Sequence, residues 1–134
     1  MQPGAEQPRE SMNEHRGLMR LVSATRYSLS GLTAAWRSEA AFRQETLAAM
    51  VLLPAAFWLG DGAVERALLA GSVLLVLIVE LLNTAVEYTV DRIGTDHHRL
   101  SGRAKDMGSA AVLLSLFVCA LTWGGIGWER FAGS

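Results

Sequence analysis

The chain has 134 residues, of which 51% are hydrophobic, and its formal net charge is -1. This length fits one domain, and the apolar content is high for a small soluble protein. The near-neutral charge gives no indication of a nucleic-acid partner, and a single cysteine excludes an intramolecular disulfide. The composition therefore favours a membrane protein.

The first part of the chain is polar and then amphipathic. Residues 1–15 are polar and lack the apolar core of a signal peptide. We predict that they form a disordered cytoplasmic tail. Apolar residues then recur at steps of three or four through residues 16–38, with arginines mostly off that stripe. This pattern predicts an amphipathic helix on the membrane surface. A plain anchor and a part in shaping a lipid-entry site both fit it.

Three apolar segments follow and are predicted to cross the membrane. The 24 residues from Ala67 to Val90, and the uncharged stretch from Met107 to Trp128, can each span about 30 Å of hydrocarbon. The segment 46–59 is shorter and contains Pro54, so it spans only if its helix begins near Glu39. We therefore predict an all-α integral membrane fold with transmembrane helices at 39–60, 65–91 and 105–128 and a cytoplasmic loop at 92–104.

The basic residues predict the orientation of these helices. Of the 12 Lys and Arg residues, ten precede the first span or lie between the second and third. By the positive-inside rule, the N-terminus and the second loop are cytoplasmic, and the C-terminus is periplasmic. We expect a multi-pass protein of the bacterial inner membrane.

Two carboxylates and an amide interrupt the second span on one face. Glu80, Asn83 and Glu87 fall within roughly 60° of one another on a helix, with the two glutamates about 10 Å apart along its axis. An acidic residue at the centre of a membrane helix costs roughly 2.5 to 3.5 kcal/mol, so such residues usually bind ions, protons or substrates. A buried hydrogen-bonded pair that fixes subunit packing is the structural alternative.

Further polar residues converge on the same cytoplasmic boundary. Glu39 begins the first span there, and the segment 101–109, which contains the only lysine of the chain, enters the third. Carboxylates for Mg²⁺, a cation and a proton acceptor are what phosphoryl transfer requires. Neither a Walker A sequence nor a Gly-x-Gly-x-x-Gly loop occurs, so a P-loop enzyme is excluded. Proton or ion conduction by the membrane glutamates, and a non-catalytic membrane adaptor, stay open at this point.

Four motifs in order make the comparison with a known family specific. They are Glu39-Ala-Ala-Phe-Arg-Gln-Glu45, Val79-Glu-Leu-Leu-Asn-Thr-Ala-Val-Glu87, Val90-Asp-Arg-Ile-Gly94 and Leu100-Ser-Gly-Arg-Ala-Lys-Asp-Met-Gly-Ser-Ala-Ala-Val112. Together they resemble the prokaryotic diacylglycerol kinase family. The resemblance implies a homotrimeric lipid kinase that uses Mg-ATP to phosphorylate the primary hydroxyl of diacylglycerol, giving phosphatidic acid for phospholipid recycling. An undecaprenol kinase of the same family is the alternative.

The same resemblance implies roles for single residues. The implied catalytic residues are Glu80 as the general base, Asn83, which helps to hold that site, and Lys105, which contacts phosphate. Glu39 and Glu87 match the carboxylates that bind Mg²⁺. The implied nucleotide contacts are Arg20, Tyr27, Glu39, Glu87, Asp96, His97, His98, Lys105 and Asp106. The implied lipid contacts are Arg20, Ala41, Phe42, Arg43, Gln44, Glu45, Trp58, Glu80, Ser109 and Trp123.

Four positions depart from the residues that are usual in this family. They are Thr25, Arg26, Leu29 and Ser38, the last of which stands where an asparagine is usual. These differences affect the surface helix and the lipid site and leave the carboxylates intact.

Overall fold

The computed structural model describes residues 9–133, with side chains from residue 13 onward. Four helices run through this range: α1 (Arg9–Ser38), α2 (Ala40–Leu59), α3 (Gly62–Ile93) and α4 (Arg99–Ala132). No strand occurs within it, so the predicted all-helical class is confirmed for the described residues. Residues 1–8 of the predicted tail lie outside them.

Helices α1 and α4 begin six or more residues before the predicted bounds. Helix α1 starts at Arg9, so residues 9–15 are helical where a disordered tail was expected. Helix α4 starts at Arg99, inside the predicted loop 92–104, and the Nδ1 atom of His98 caps it by accepting a hydrogen bond from the Leu100 amide at 3.1 Å. Both early starts are polar, and a search for apolar stretches does not detect polar helical turns.

The chain divides into two compact units between Ala34 and Ala35. In the first unit, the described side chains at 13–34 are all exposed. In the second unit, α3 packs against both α2 and α4. The small buried residues Ala49 and Ala56 on α2 allow close contact between helices.

One end of the second unit holds an apolar cluster. Ala56, Leu59 and Leu69 are buried there, and Trp123 packs against them while its indole N–H donates to the Leu69 carbonyl at 3.2 Å. Within residues 9–133, α3 and α4 are long and apolar enough to cross a membrane. The only buried residue of α4 is Ser115. Its apolar surface is therefore largely exposed in the single chain, as expected of a helix that faces lipid or another subunit.

Candidate functional site

A group of four glutamates from α2 and α3 forms the centre of the candidate site. Glu80 of α3 is buried, with 8% of its surface exposed. Its carboxyl group interacts with that of Glu45 on α2 and, electrostatically, with those of Glu87 and Glu39. The structure therefore brings Glu45, expected from the family resemblance to contact lipid, directly to the predicted base.

The corner between α1 and α2 determines where Glu39 lies. Glu39 occupies the N-cap position of α2 with an extended backbone (φ -114°, ψ 110°), and its side chain makes no capping hydrogen bond. Its amide donates to the Ala35 carbonyl at 2.9 Å. The Arg43 guanidinium donates from Nη1 to the carbonyls of Trp36 at 2.8 Å and Arg37 at 3.2 Å. Arg43 thus satisfies carbonyls at the end of α1 that have no partner within the helix.

A hydroxyl contact ties this corner to α3. The Tyr88 hydroxyl donates to the Ser38 hydroxyl oxygen, which joins residues 50 positions apart in the chain. Sequence reasoning did not identify Tyr88, because an aromatic residue near a predicted span end is usually interpreted as an interface anchor. No short-range pattern could have revealed this contact.

Asn83 lies where α3 approaches α4 closely. Its Oδ1 atom is buried and has no hydrogen-bond partner. A methyl group added at Gly108 of α4 would overlap that atom and lie 3.3 Å from Asn83 Cγ. Glycine at 108 therefore leaves room for the predicted catalytic amide.

The predicted cation has a partner that the sequence did not suggest. Lys105 Nζ lies 2.7 Å from Asp91 Oδ1, and their side chains are 44% and 51% exposed. Lys105 also interacts electrostatically with Glu87. Asp91 belongs to one of the four motifs, but its pairing depends on how α3 and α4 pack. Asp106, the neighbour of Lys105, is exposed.

The loop between α3 and α4 borders a cavity of about 450 Å³. Its lining residues are Val90, Ile93, Gly94, Asp96, His98, Leu100, Ser101 and Ala104. Two of the three predicted loop contacts, Asp96 and His98, face this mostly apolar space, whereas His97 does not line it. His98 uses its Nδ1 atom to cap α4.

The two predicted nucleotide contacts of the first unit lie on one side of α1. Arg20 and Tyr27 line a shallow cavity of about 450 Å³ together with Arg16, Met19, Ser23 and Ala24. Their spacing of seven positions puts them two helical turns apart on one face. Arg20 and Tyr27, both predicted to contact the nucleotide, thus line the same cavity.

The remaining predicted lipid contacts do not gather in one place. Phe42 is buried, whereas Ala41, Gln44 and Ser109 are exposed. Trp58 lies near the far end of α2, with its ring centroid 6.3 Å from that of Phe131, and Trp123 lies in the apolar cluster. Thirteen residues of helix, or about 20 Å, separate Trp58 from Glu45. A single chain therefore does not bring the two tryptophans to the glutamates.

The glutamate group fits a metal ion that also binds phosphate. Among the described residues, no group of three or more His, Cys, Asp or Glu side chains is arranged to hold a metal by itself. Mg²⁺ characteristically binds one or two carboxylates and takes its other ligands from phosphates and water. Glu39 and Glu87 provide carboxylates of that kind, both within electrostatic range of Glu80.

Comparisons with known proteins agree with the four motifs. A family model described as prokaryotic diacylglycerol kinase matches residues 26–126. The chain is 52% identical to a diacylglycerol kinase of Escherichia coli, over 89% of this chain and 98% of that protein. It is 51% identical to a diacylglycerol kinase of Haemophilus influenzae, over 86% and 98%. It is 55% identical to one of Pseudomonas aeruginosa, over 80% and 87%.

Proposed function

The chain belongs to the prokaryotic diacylglycerol kinase family, and from this membership we propose that it is an ATP-dependent diacylglycerol kinase of the bacterial inner membrane. It transfers the γ-phosphate of Mg-ATP to the primary hydroxyl of diacylglycerol, and the products are phosphatidic acid and ADP. The structural observation that best supports this assignment is the buried Glu80, which interacts with Glu45, Glu39 and Glu87.

Glu80 acts as the general base. Its carboxylate accepts the proton of the lipid hydroxyl while that oxygen forms a bond to the γ-phosphorus. The bond from the γ-phosphorus to the β,γ-bridging oxygen breaks, and ADP leaves. Burial suits this role, because a proton acceptor screened from water meets the lipid hydroxyl rather than bulk solvent.

The other polar groups hold the nucleotide. Glu39 and Glu87 would hold Mg²⁺, which when bound neutralises charge on the phosphates. Lys105 donates to phosphate oxygens, so its contact with Asp91 opens or becomes shared when ATP binds. Asn83 helps to hold the site on the same face of α3 as Glu80, with its Oδ1 atom buried beside Gly108.

We propose the following arrangement in the membrane. Residues 16–38 form a surface helix, three helices span at 39–60, 65–91 and 105–128, and the N-terminus is cytoplasmic. Three copies assemble, and neighbouring copies share each active site. The exposed apolar surface of α4 supports assembly, as does the distance of Trp58 and Trp123 from the glutamates of the same chain.

Transfer of labelled phosphate from ATP to lipid tests the function. Detergent-reconstituted protein is assayed with diacylglycerol and undecaprenol side by side. The test variant is Glu80→Gln, and the control is Glu129→Gln, which changes an exposed glutamate near the C-terminal end of α4. We expect labelled phosphatidic acid, a loss of at least about 100-fold for Glu80→Gln and wild-type turnover for the control. Wild-type turnover by Glu80→Gln would disprove the assignment of Glu80 as the base. Labelling of undecaprenol alone would disprove diacylglycerol as the substrate.

Mixed assemblies test whether subunits share a site. Glu80→Gln and Lys105→Ala chains are each expected to be inactive alone. If base and cation come from different subunits, co-assembled mixtures contain some sites with both residues intact and regain part of the activity. Mixtures that remain as inactive as the separate variants would place both residues in one chain.

A further inference from the structure

The Tyr88–Ser38 contact joins the two backbone segments that carry the proposed Mg²⁺ carboxylates. Ser38 directly precedes Glu39, and Tyr88 directly follows Glu87. The Tyr88 hydroxyl donates to the Ser38 hydroxyl oxygen. The hydrogen bond therefore connects the end of α1 to α3 next to both glutamates.

Glu39 depends on such external contacts for its position. It stands between two helices on extended backbone and makes no capping bond with its own side chain. The Arg43 guanidinium holds the α1 side of the corner through the Trp36 and Arg37 carbonyls. Those bonds join α1 to α2 only, so they do not set the distance from Glu39 to α3.

Tyr88 provides the missing link between Glu39 and α3. Its side chain is 49% exposed, so much of the ring contributes little to the core, whereas its hydroxyl reaches across to the α1–α2 corner. We propose that Tyr88 and Ser38 form a hydroxyl latch that positions Glu39 relative to Glu87 for binding Mg²⁺ with the nucleotide. Both are positioning residues, since neither touches substrate.

The latch rests on the proposed function, because it acts through the two carboxylates. It predicts that loss of the hydrogen bond weakens binding of the metal and nucleotide and leaves binding of the lipid unchanged. A contact that only stabilises the fold would lower the unfolding temperature and leave metal affinity as it is.

The experiment compares Tyr88→Phe with Thr89→Val in the full-length protein in detergent. Thr89 is the next residue on α3, is exposed, and uses its hydroxyl only on the Ala85 carbonyl of its own helix. Binding of Mn²⁺ with a non-hydrolysable ATP analogue is followed by loss of the free-ion EPR signal. The Michaelis constants for Mg-ATP and for diacylglycerol are measured in parallel.

We expect Tyr88→Phe to weaken Mn²⁺ binding and to raise the KM for Mg-ATP, each by roughly two- to tenfold, the ordinary worth of one neutral hydrogen bond. The KM for diacylglycerol stays at the wild-type value. Ser38→Ala weakens Mn²⁺ binding at least as much as Tyr88→Phe does, and the double variant loses no more than Ser38→Ala alone, since both single changes remove the Tyr88–Ser38 bond. Ser38→Thr, which keeps a hydroxyl, binds Mn²⁺ as the wild type does.

Three results would overturn the latch while the kinase assignment stands: wild-type Mn²⁺ affinity in Tyr88→Phe, an equal loss in Thr89→Val, or additive losses in the double variant. A wild-type protein that phosphorylates no lipid and binds no metal with the nucleotide overturns the proposed function and the latch with it. The two failures are distinguished by the behaviour of the wild type.

Discussion

Replacing Gly108 by alanine tests the close approach of α3 and α4 beside Asn83. A Cβ at position 108 would overlap Asn83 Oδ1, whereas a Cβ at Gly102 of the same helix meets no atom within 4 Å. Both changes gain about 0.8 to 1 kcal/mol from helix propensity. Only Gly108→Ala also overfills a packed contact, at a cost of about 1 to 3 kcal/mol. The free energy of unfolding of Gly108→Ala should therefore lie about 1 to 3 kcal/mol below that of Gly102→Ala.

Thermal unfolding in detergent, followed by circular dichroism at one fixed protein concentration, measures this difference, because the stability of an oligomer depends on concentration. Lipid phosphorylation gives a second readout. Relief of the overlap moves the Asn83 amide, so Gly108→Ala should also lose activity. If both alanine variants were stabilised equally and Gly108→Ala kept wild-type turnover, the packing of Asn83 against Gly108 would be refuted.

Three further changes probe other contacts. Trp123→Phe removes the indole N–H that donates to the Leu69 carbonyl and should lower the free energy of unfolding by about 0.5 to 1.5 kcal/mol. The control is Trp128→Phe, because the Trp128 side chain is 74% exposed. Its unfolding temperature should equal that of the wild type within error. Leu69→Ala empties a fully buried position and should cost about 2 to 5 kcal/mol, measured by the same unfolding assay. Asp91→Asn removes the charge that pairs with Lys105 and should leave the unfolding temperature almost unchanged, because the pair is exposed. Lys105→Ala should abolish lipid phosphorylation with an equally small effect on unfolding, and a large loss of stability in either variant would contradict the assignment of Lys105 to the nucleotide.

Hydropathy located the long apolar helices well and their polar ends poorly. The predicted second span, 65–91, lies inside α3, because twenty or more apolar residues leave little choice of secondary structure in a membrane. The start of α4 at Arg99 was missed, since its first turns are polar and its cap is the side chain of His98. Hydropathy is insensitive to capping, which depends on individual hydrogen bonds.

Part of the candidate site could likewise be predicted from the sequence of one helix, and part depends on how the helices pack. Helical spacing predicted that Glu80 and Glu87 share a face of α3, which needs only the geometry of one helix. The contacts of Glu80 with Glu45, and of Tyr88 with Ser38, depend on how α2 and the end of α1 pack against α3. Such register is set by the fit of many side chains at once, so no motif in a single sequence reveals it.

The surroundings of Glu80 and Glu87 on α3, more than their spacing, support the different roles proposed for them. Glu80 is buried and interacts with an acid of α2, whereas Glu87 is half-buried and interacts with Lys105, which is exposed near the start of α4. A base for a lipid hydroxyl must be screened from water, and a carboxylate that holds a metal on ATP must be reached from the aqueous side. Glu80 is the more buried of the two and Glu87 the more exposed, as their proposed roles require. Exchanging their roles would therefore require a different packing of α2 and α4 around α3, and a change of residue at positions 80 and 87 alone would not achieve it.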